Sequence, residues 1–147
     1  MLILKISRNT HVDRKKIFEI STDIENFSNL MPNYFRSLRI TKIINSEIFV
    51  DEDLSFLGTS LRVQTKHKIS KPNIHEINIL SGPLTGSSFL ECYEELDDGT
   101  KVEIKVQLKF NGFFKLLYPA KFFIEKKINK IMDEFIHSCE VNQNAVV

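Results

Sequence analysis

His67, His75, Glu91 and Tyr93 are the side chains of this sequence with the most chemistry to offer. Two imidazoles, a carboxylate and a phenol can donate, accept or pass protons and can hold the polar end of a bound molecule. Each stands in a segment where apolar and polar residues alternate, and in a strand such alternation puts residues two apart on one face. If those segments pair, the four groups meet inside an apolar surface, where an unpaired polar group costs about 1–3 kcal/mol. They can satisfy one another, orient a ligand, or work as an acid/base pair, for which Glu91 and His67 are the weak catalytic candidates. The set lacks any diagnostic ligand spacing, so no metal and no cofactor is expected. Cys92 has no basic neighbour or helix start to lower its pKa and reads as a packed or surface thiol.

The strands that carry these groups follow from the alternation. In 102–110, Val102, Ile104, Val106, Leu108 and Phe110 share one face and Lys101, Glu103, Lys105, Gln107 and Lys109 the other. In 58–69 the inner set is Leu61, Val63, Thr65, His67 and Ile69; in the next strand it is His75, Ile77 and Ile79. The strand at 87–96 has two registers. A two-residue Asp98-Gly99 turn points Phe89, Glu91 and Tyr93 inward, opposite Ile104 and Val106; a three-residue bulged turn turns Leu90, Cys92 and Glu94 inward instead.

These strands need a frame. Residues 2–7 read as a first strand, followed by a helix that Asp13 caps, with Val12 and Ile17 as a hydrophobic staple. A second short helix over 24–30 stops at Met31-Pro32. Strands are expected at 35–45, 47–52, 58–69, 74–81, 87–96 and 100–110, with turns at 51–53, 71–73, 82–86 and 97–99. Residues 82–86 lack the Gly-Lys-Ser/Thr ending of a phosphate loop. Residues 113–140 read as one long aromatic-rich helix, with Leu117, Ile124, Ile128, Ile131, Phe135 and Cys139 in one stripe. Pro119 either opens that helix after a separate turn or kinks it.

An antiparallel meander buries one face, and only the closing helix is long enough to cover it. The fold class is therefore α+β: a curved antiparallel sheet of about seven strands around a long C-terminal helix, with two short helices after the first strand. The inner face and helix stripe define an expected binding surface of Leu61, Val63, Thr65, His67, His75, Ile77, Phe89, Glu91, Tyr93, Ile104, Val106, Leu117, Ile124, Ile128 and Phe135. Phe113, Phe114, Phe122 and Phe123 either plug the groove or form an exposed gate, dimer contact or membrane-docking edge, beside Lys115 and Lys121.

Composition limits the partners. The 147 residues suit one domain over 1–147, and 20 Lys and Arg against 19 Asp and Glu argue against nucleic acid, which selects for excess positive charge. MLILKISRNTHVDRKK lacks the pattern of a signal peptide, and no apolar run reaches the ~20 residues of a membrane span. A cytoplasmic protein with reduced thiols, a monomer or weak homodimer, is expected.

Several stretches resemble a known superfamily. Ser21-Thr22-Asp23-Ile24-Glu25-Asn26-Phe27-Ser28-Asn29-Leu30-Met31-Pro32, then Leu80-Ser81-Gly82-Pro83-Leu84, then Leu108-Lys109-Phe110-Asn111 before an amphipathic helix resemble SRPBCC proteins. These share the helix-grip fold of START lipid-transfer domains and plant allergen-type carriers. Within that superfamily the chain is similar to the polyketide cyclase/coenzyme-Q-binding START-like family. The resemblance covers nearly the whole chain. It implies a cavity for a hydrophobic small molecule such as a lipid, an isoprenoid quinone or a polyketide-like aromatic. It also implies two alternatives: a cyclase/dehydratase-type enzyme, or an interaction module whose cavity its own side chains fill. The family's usual aromatic in the strand after Gly-Pro is Glu91 here, with Tyr93 two residues on, and the chain has no Trp.

Overall fold

The computed structural model describes residues 1–145. Its strands are β1 (Leu2–Thr10), β2 (Phe35–Ile44), β3 (Glu47–Phe56), β4 (Thr59–Ser70), β5 (Ile74–Ile79), β6 (Ser88–Leu96) and β7 (Gly99–Leu108). They form one seven-stranded antiparallel sheet in the order β1-β7-β6-β5-β4-β3-β2. The chain crosses from β1 at one edge to β2 at the other through α1 (Arg14–Thr22), a 3₁₀ turn (Ile24–Asn26) and α2 (Phe27–Leu30). Asp13 caps α1 by accepting from the Lys16 amide, and Val12 and Ile17 are fully buried beside it.

Two turns differ from their expected places. The acidic run Asp51–Asp53 lies within β3, because side-chain alternation runs through it: Val50 and Glu52 are buried while Asp51 and Asp53 face outward. Arg39 pairs with Asp51 at 3.1 Å and Ser60 donates to Asp53 at 2.8 Å, which removes the tendency of those residues to turn. The chain instead reverses at Leu57-Gly58, both at positive φ. The β6–β7 turn is Asp97-Asp98, one residue earlier than expected, with Leu96 paired to Gly99. A Cβ at Gly99 would collide with the Thr10 carbonyl oxygen, so glycine is what lets β7 begin against the end of β1. The turn moves by one residue but keeps two residues, so facing is preserved: Phe89 pairs with Val106, Glu91 with Ile104 and Tyr93 with Val102.

The closing helix divides at its proline. Gly112–Ala120, containing Pro119, is 3₁₀ in character, and α3 (Lys121–Ala145) starts after it. Its buried residues, Ile124, Met132, Phe135, Ile136 and Cys139, press on the concave face of the sheet. Their packing splits the core. Tyr93, Val102, Phe135 and Cys139 join the cluster under α1; Val63, Val106, Phe110 and Ile124 join another at the far end of the helix. Arg8 to Asp133 at 2.7 Å and Thr10 to Glu140 at 2.9 Å tie the later turns of α3 to β1.

Candidate functional site

Among the core clusters, of which Ile24, Leu38 and Val50 form a third, lies a cavity of about 230 Å³. Its floor is the concave face of the sheet, with residues from all seven strands, its roof is Ile128, Ile131, Met132 and Phe135 of α3, and Ile24, Phe27 and Met31 close one end. Of the expected residues, Thr65, His67, His75, Ile77, Phe89, Glu91, Ile104, Val106, Ile128 and Phe135 line it. Leu61, Val63, Leu117 and Ile124 sit instead in the packed core beyond one end. Tyr93 lies fully buried on the same concave face but outside the cavity, packed under α1 and edge-on to Phe18.

The polar groups form a connected chain across four strands. Tyr93 donates its hydroxyl to Glu91 Oε1 at 2.7 Å, from two residues away on the same face of β6. His75, paired directly with Glu91 in register, places Nδ1 3.4 Å from the same oxygen, within ion-pair range but without hydrogen-bond alignment. His75 Nε2 and His67 Nδ1 are 2.8 Å apart, a diagonal contact between β5 and β4. His67 Nε2 lies 3.0 Å from Glu52 Oε2 and 3.0 Å from Thr65 Oγ1, and the Thr65 hydroxyl donates to Glu52. Glu52, only 5% exposed, is the member that the sequence reading missed. Its signal was there, since it falls between inward Val50 and Leu54 in the two-residue period.

The chain sets its own electrostatics. Burial pushes the Glu91 carboxyl up, but the charge of His75 opposite and the hydrogen bond from Tyr93 more than offset it, so its pKa lies below the usual value. Burial and the neighbouring Glu91 carboxylate push the Tyr93 phenol well above its ordinary value, so it remains a donor. Cys139 is pushed up to about 12 by burial and by Glu91 and Glu140, and Cys92 is raised by burial and Glu103. Neither thiol is a nucleophile at neutral pH. Among the described residues no group of three His, Cys, Asp or Glu side chains is arranged to hold a metal.

The lowered pKa of Glu91 predicts an acid effect. Its ionised form is favoured by folding, so that contribution is complete above the ordinary carboxylate value of 4.5 and is lost as pH falls through the lower folded value. Glu91→Gln should therefore flatten the decline of stability below about pH 4.5, read from urea denaturation at stepped pH. An unchanged acid limb would show that Glu91 is not held ionised in the folded protein.

The phenylalanines at the start of the closing helix do not fill the cavity. Phe114 stacks on Phe56 with centroids 6.1 Å apart. Phe113 is 90% exposed, and Leu116, Phe122 and Phe123 are exposed with it. Lys115, Lys121 and Lys126 are exposed around them. No helix among the described residues is long and apolar enough to cross a membrane.

A curved seven-stranded sheet gripping a long C-terminal helix, with short helices at its mouth, is the helix-grip fold. Solved structures with the same fold include a START superfamily protein from Mycobacterium smegmatis, at TM-score 0.75 and 13% identity, each chain covered in full (100%). A Thermus thermophilus protein aligns at TM-score 0.79 and 10% identity over 95% of this chain and 98% of its own. The Zhui aromatase/cyclase of a Streptomyces strain aligns at TM-score 0.74 and 11% identity over 94% of this chain and 93% of its own. No protein-family model matches the sequence, and no curated protein matches it.

Proposed function

We propose that this protein binds a small hydrophobic molecule between sheet and helix, as a non-catalytic carrier in the cytoplasm. The observation that carries the reading is an apolar cavity of about 230 Å³ left open by a core that is otherwise closely packed. An apolar space of about 150 Å³ is enough to take benzene, whereas drug-sized pockets run to about 300–1,000 Å³. The size therefore favours a one- or two-ring compound, such as a polyketide-like aromatic, over a whole lipid or a long isoprenoid quinone. The exposed edge of Phe113, Leu116, Phe122 and Phe123, with lysines around it, supports a gate that touches membranes transiently during loading.

The test is mass spectrometry of organic extracts from protein purified without detergent. Stoichiometric recovery of a ring compound is the expected result. Extracts with no bound compound, together with no saturable uptake of added ring compounds, would overturn the reading. A second reading, a cyclase or dehydratase, is favoured by one observation: His75 Nδ1 is buried at the cavity without a hydrogen-bond partner. Turnover of a recovered compound that is lost in Glu91→Gln, with binding retained, would move the function to that reading.

A further inference from the structure

The proton count of the buried chain restricts what the cavity can hold. Two histidines in contact nitrogen to nitrogen share one proton across that contact, so the pair carries at most three ring protons and one positive charge. Glu52 and Glu91 stand at its two ends. The pair can therefore balance at most one of the two carboxylates, which leaves the other without a countercharge from the chain in an apolar setting. Such a charge calls for a compensating partner.

All but one of the hydrogen-bonding nitrogens and hydroxyls in the chain are already committed. Thr65 and His67 serve Glu52, Tyr93 serves Glu91, and the Ser21 hydroxyl at the cavity wall donates to the Phe18 carbonyl at 3.0 Å. His75 Nδ1 is the exception, 3.4 Å from Glu91 Oε1 and without hydrogen-bond alignment. Acceptors remain. Glu52 Oε1 and Glu91 Oε2 receive no hydrogen bond from the described residues, although both side chains line the cavity. Glu91 keeps 15% of its side chain accessible there.

From this we infer that the ligand is a small ring compound carrying a hydrogen-bond donor, a hydroxyl or an amine, which it gives to Glu91 or Glu52. The inference rests on the binding function proposed above and narrows it. Acceptor-only molecules, such as quinones, would meet two bare carboxylate oxygens against the single unpartnered nitrogen of His75, and anionic molecules would add like charge. A donor ligand instead meets an ionised acceptor already held in place, and such hydrogen bonds are the stronger kind.

The experiment is calorimetric titration of the wild-type protein with four probes of one size: naphthalene, β-naphthol, β-naphthoate and naphthoquinone. β-Naphthol should bind about tenfold more tightly than naphthalene, and the other two no more tightly than naphthalene. In Glu91→Gln and Glu52→Gln, each checked for folding by circular dichroism, that preference should shrink several-fold for the carboxylate that receives the donor. Equal binding of naphthalene and β-naphthol, or tighter binding of β-naphthoate or naphthoquinone, overturns the donor requirement while leaving the carrier reading intact. If none of the four binds, both fall.

Discussion

Replacing His67 with alanine lowers the stability of this protein by about 3–5 kcal/mol, the usual cost of removing one partner from a buried ionic network. For a chain of this size that is a drop of roughly 10 °C or more in Tm. His67 is the centre of the chain, with Glu52 and Thr65 on one ring nitrogen and His75 on the other. Its loss leaves Glu52, 5% exposed, with only the Thr65 hydroxyl, and leaves His75 with no partner at Nε2. A loss below about 1 kcal/mol would mean that water or local relaxation replaces His67, and that the chain is not rigid.

The companion variant gives this result its functional meaning. Replacing the whole chain by apolar residues, Glu52→Leu, Thr65→Val, His67→Leu, His75→Leu, Glu91→Leu and Tyr93→Phe, should leave stability unchanged or raise it by about 1–4 kcal/mol. Buried ionic groups seldom improve on well-packed apolar ones of similar volume. A chain that is costly to break yet unnecessary for folding points to use by a ligand. If the apolar variant fails to fold, the chain is structural and its place beside the cavity is incidental.

Most of the frame was legible in the sequence because a one-sided sheet writes its facing into alternate residues. Val102 to Phe110 shows this best, and the inward set it predicts includes Val106, Leu108 and Phe110, all buried. The signal of Glu52 was masked for a physical reason. Asp51-Glu52-Asp53 carries turn-forming residue types, and only cross-strand partners such as Arg39 and Ser60 make it a strand. Residue type competed with periodicity, and periodicity prevailed because Val50 and Glu52 face inward together.

Other parts of the site are tertiary. Leu84 sits in a loop yet folds into the cavity wall, and Ile24, Phe27 and Met31 reach it only because α1 and α2 cross the mouth of the sheet. Local pattern carries no record of those contacts. The same holds for the aromatic segment before α3. Phe114 packs because Phe56 arrives from the β3–β4 hairpin, while Phe113 has no such partner and stays exposed.

Filling the cavity separates binding from folding most sharply. Ile77 rises from the sheet floor and Ile128 descends from α3, both facing the empty space. The double variant Ile77→Phe, Ile128→Phe should lower affinity for ring compounds by about 100-fold or more, since the rings and the ligand compete for one volume. Folding should not suffer in proportion. Occupying about 50 Å³ of void regains up to about 1 kcal/mol at roughly 24 cal/mol per Å³, against which some misfit strain must be set. The expected result is therefore a protein within about 1 kcal/mol of the original in urea denaturation that no longer binds β-naphthol. A filled variant that still binds would move the site out of the cavity, and the exposed Phe113, Phe122 and Phe123 edge would become the place to look. A variant that loses binding but gains stability would argue that the space is held open against packing for the sake of what enters it.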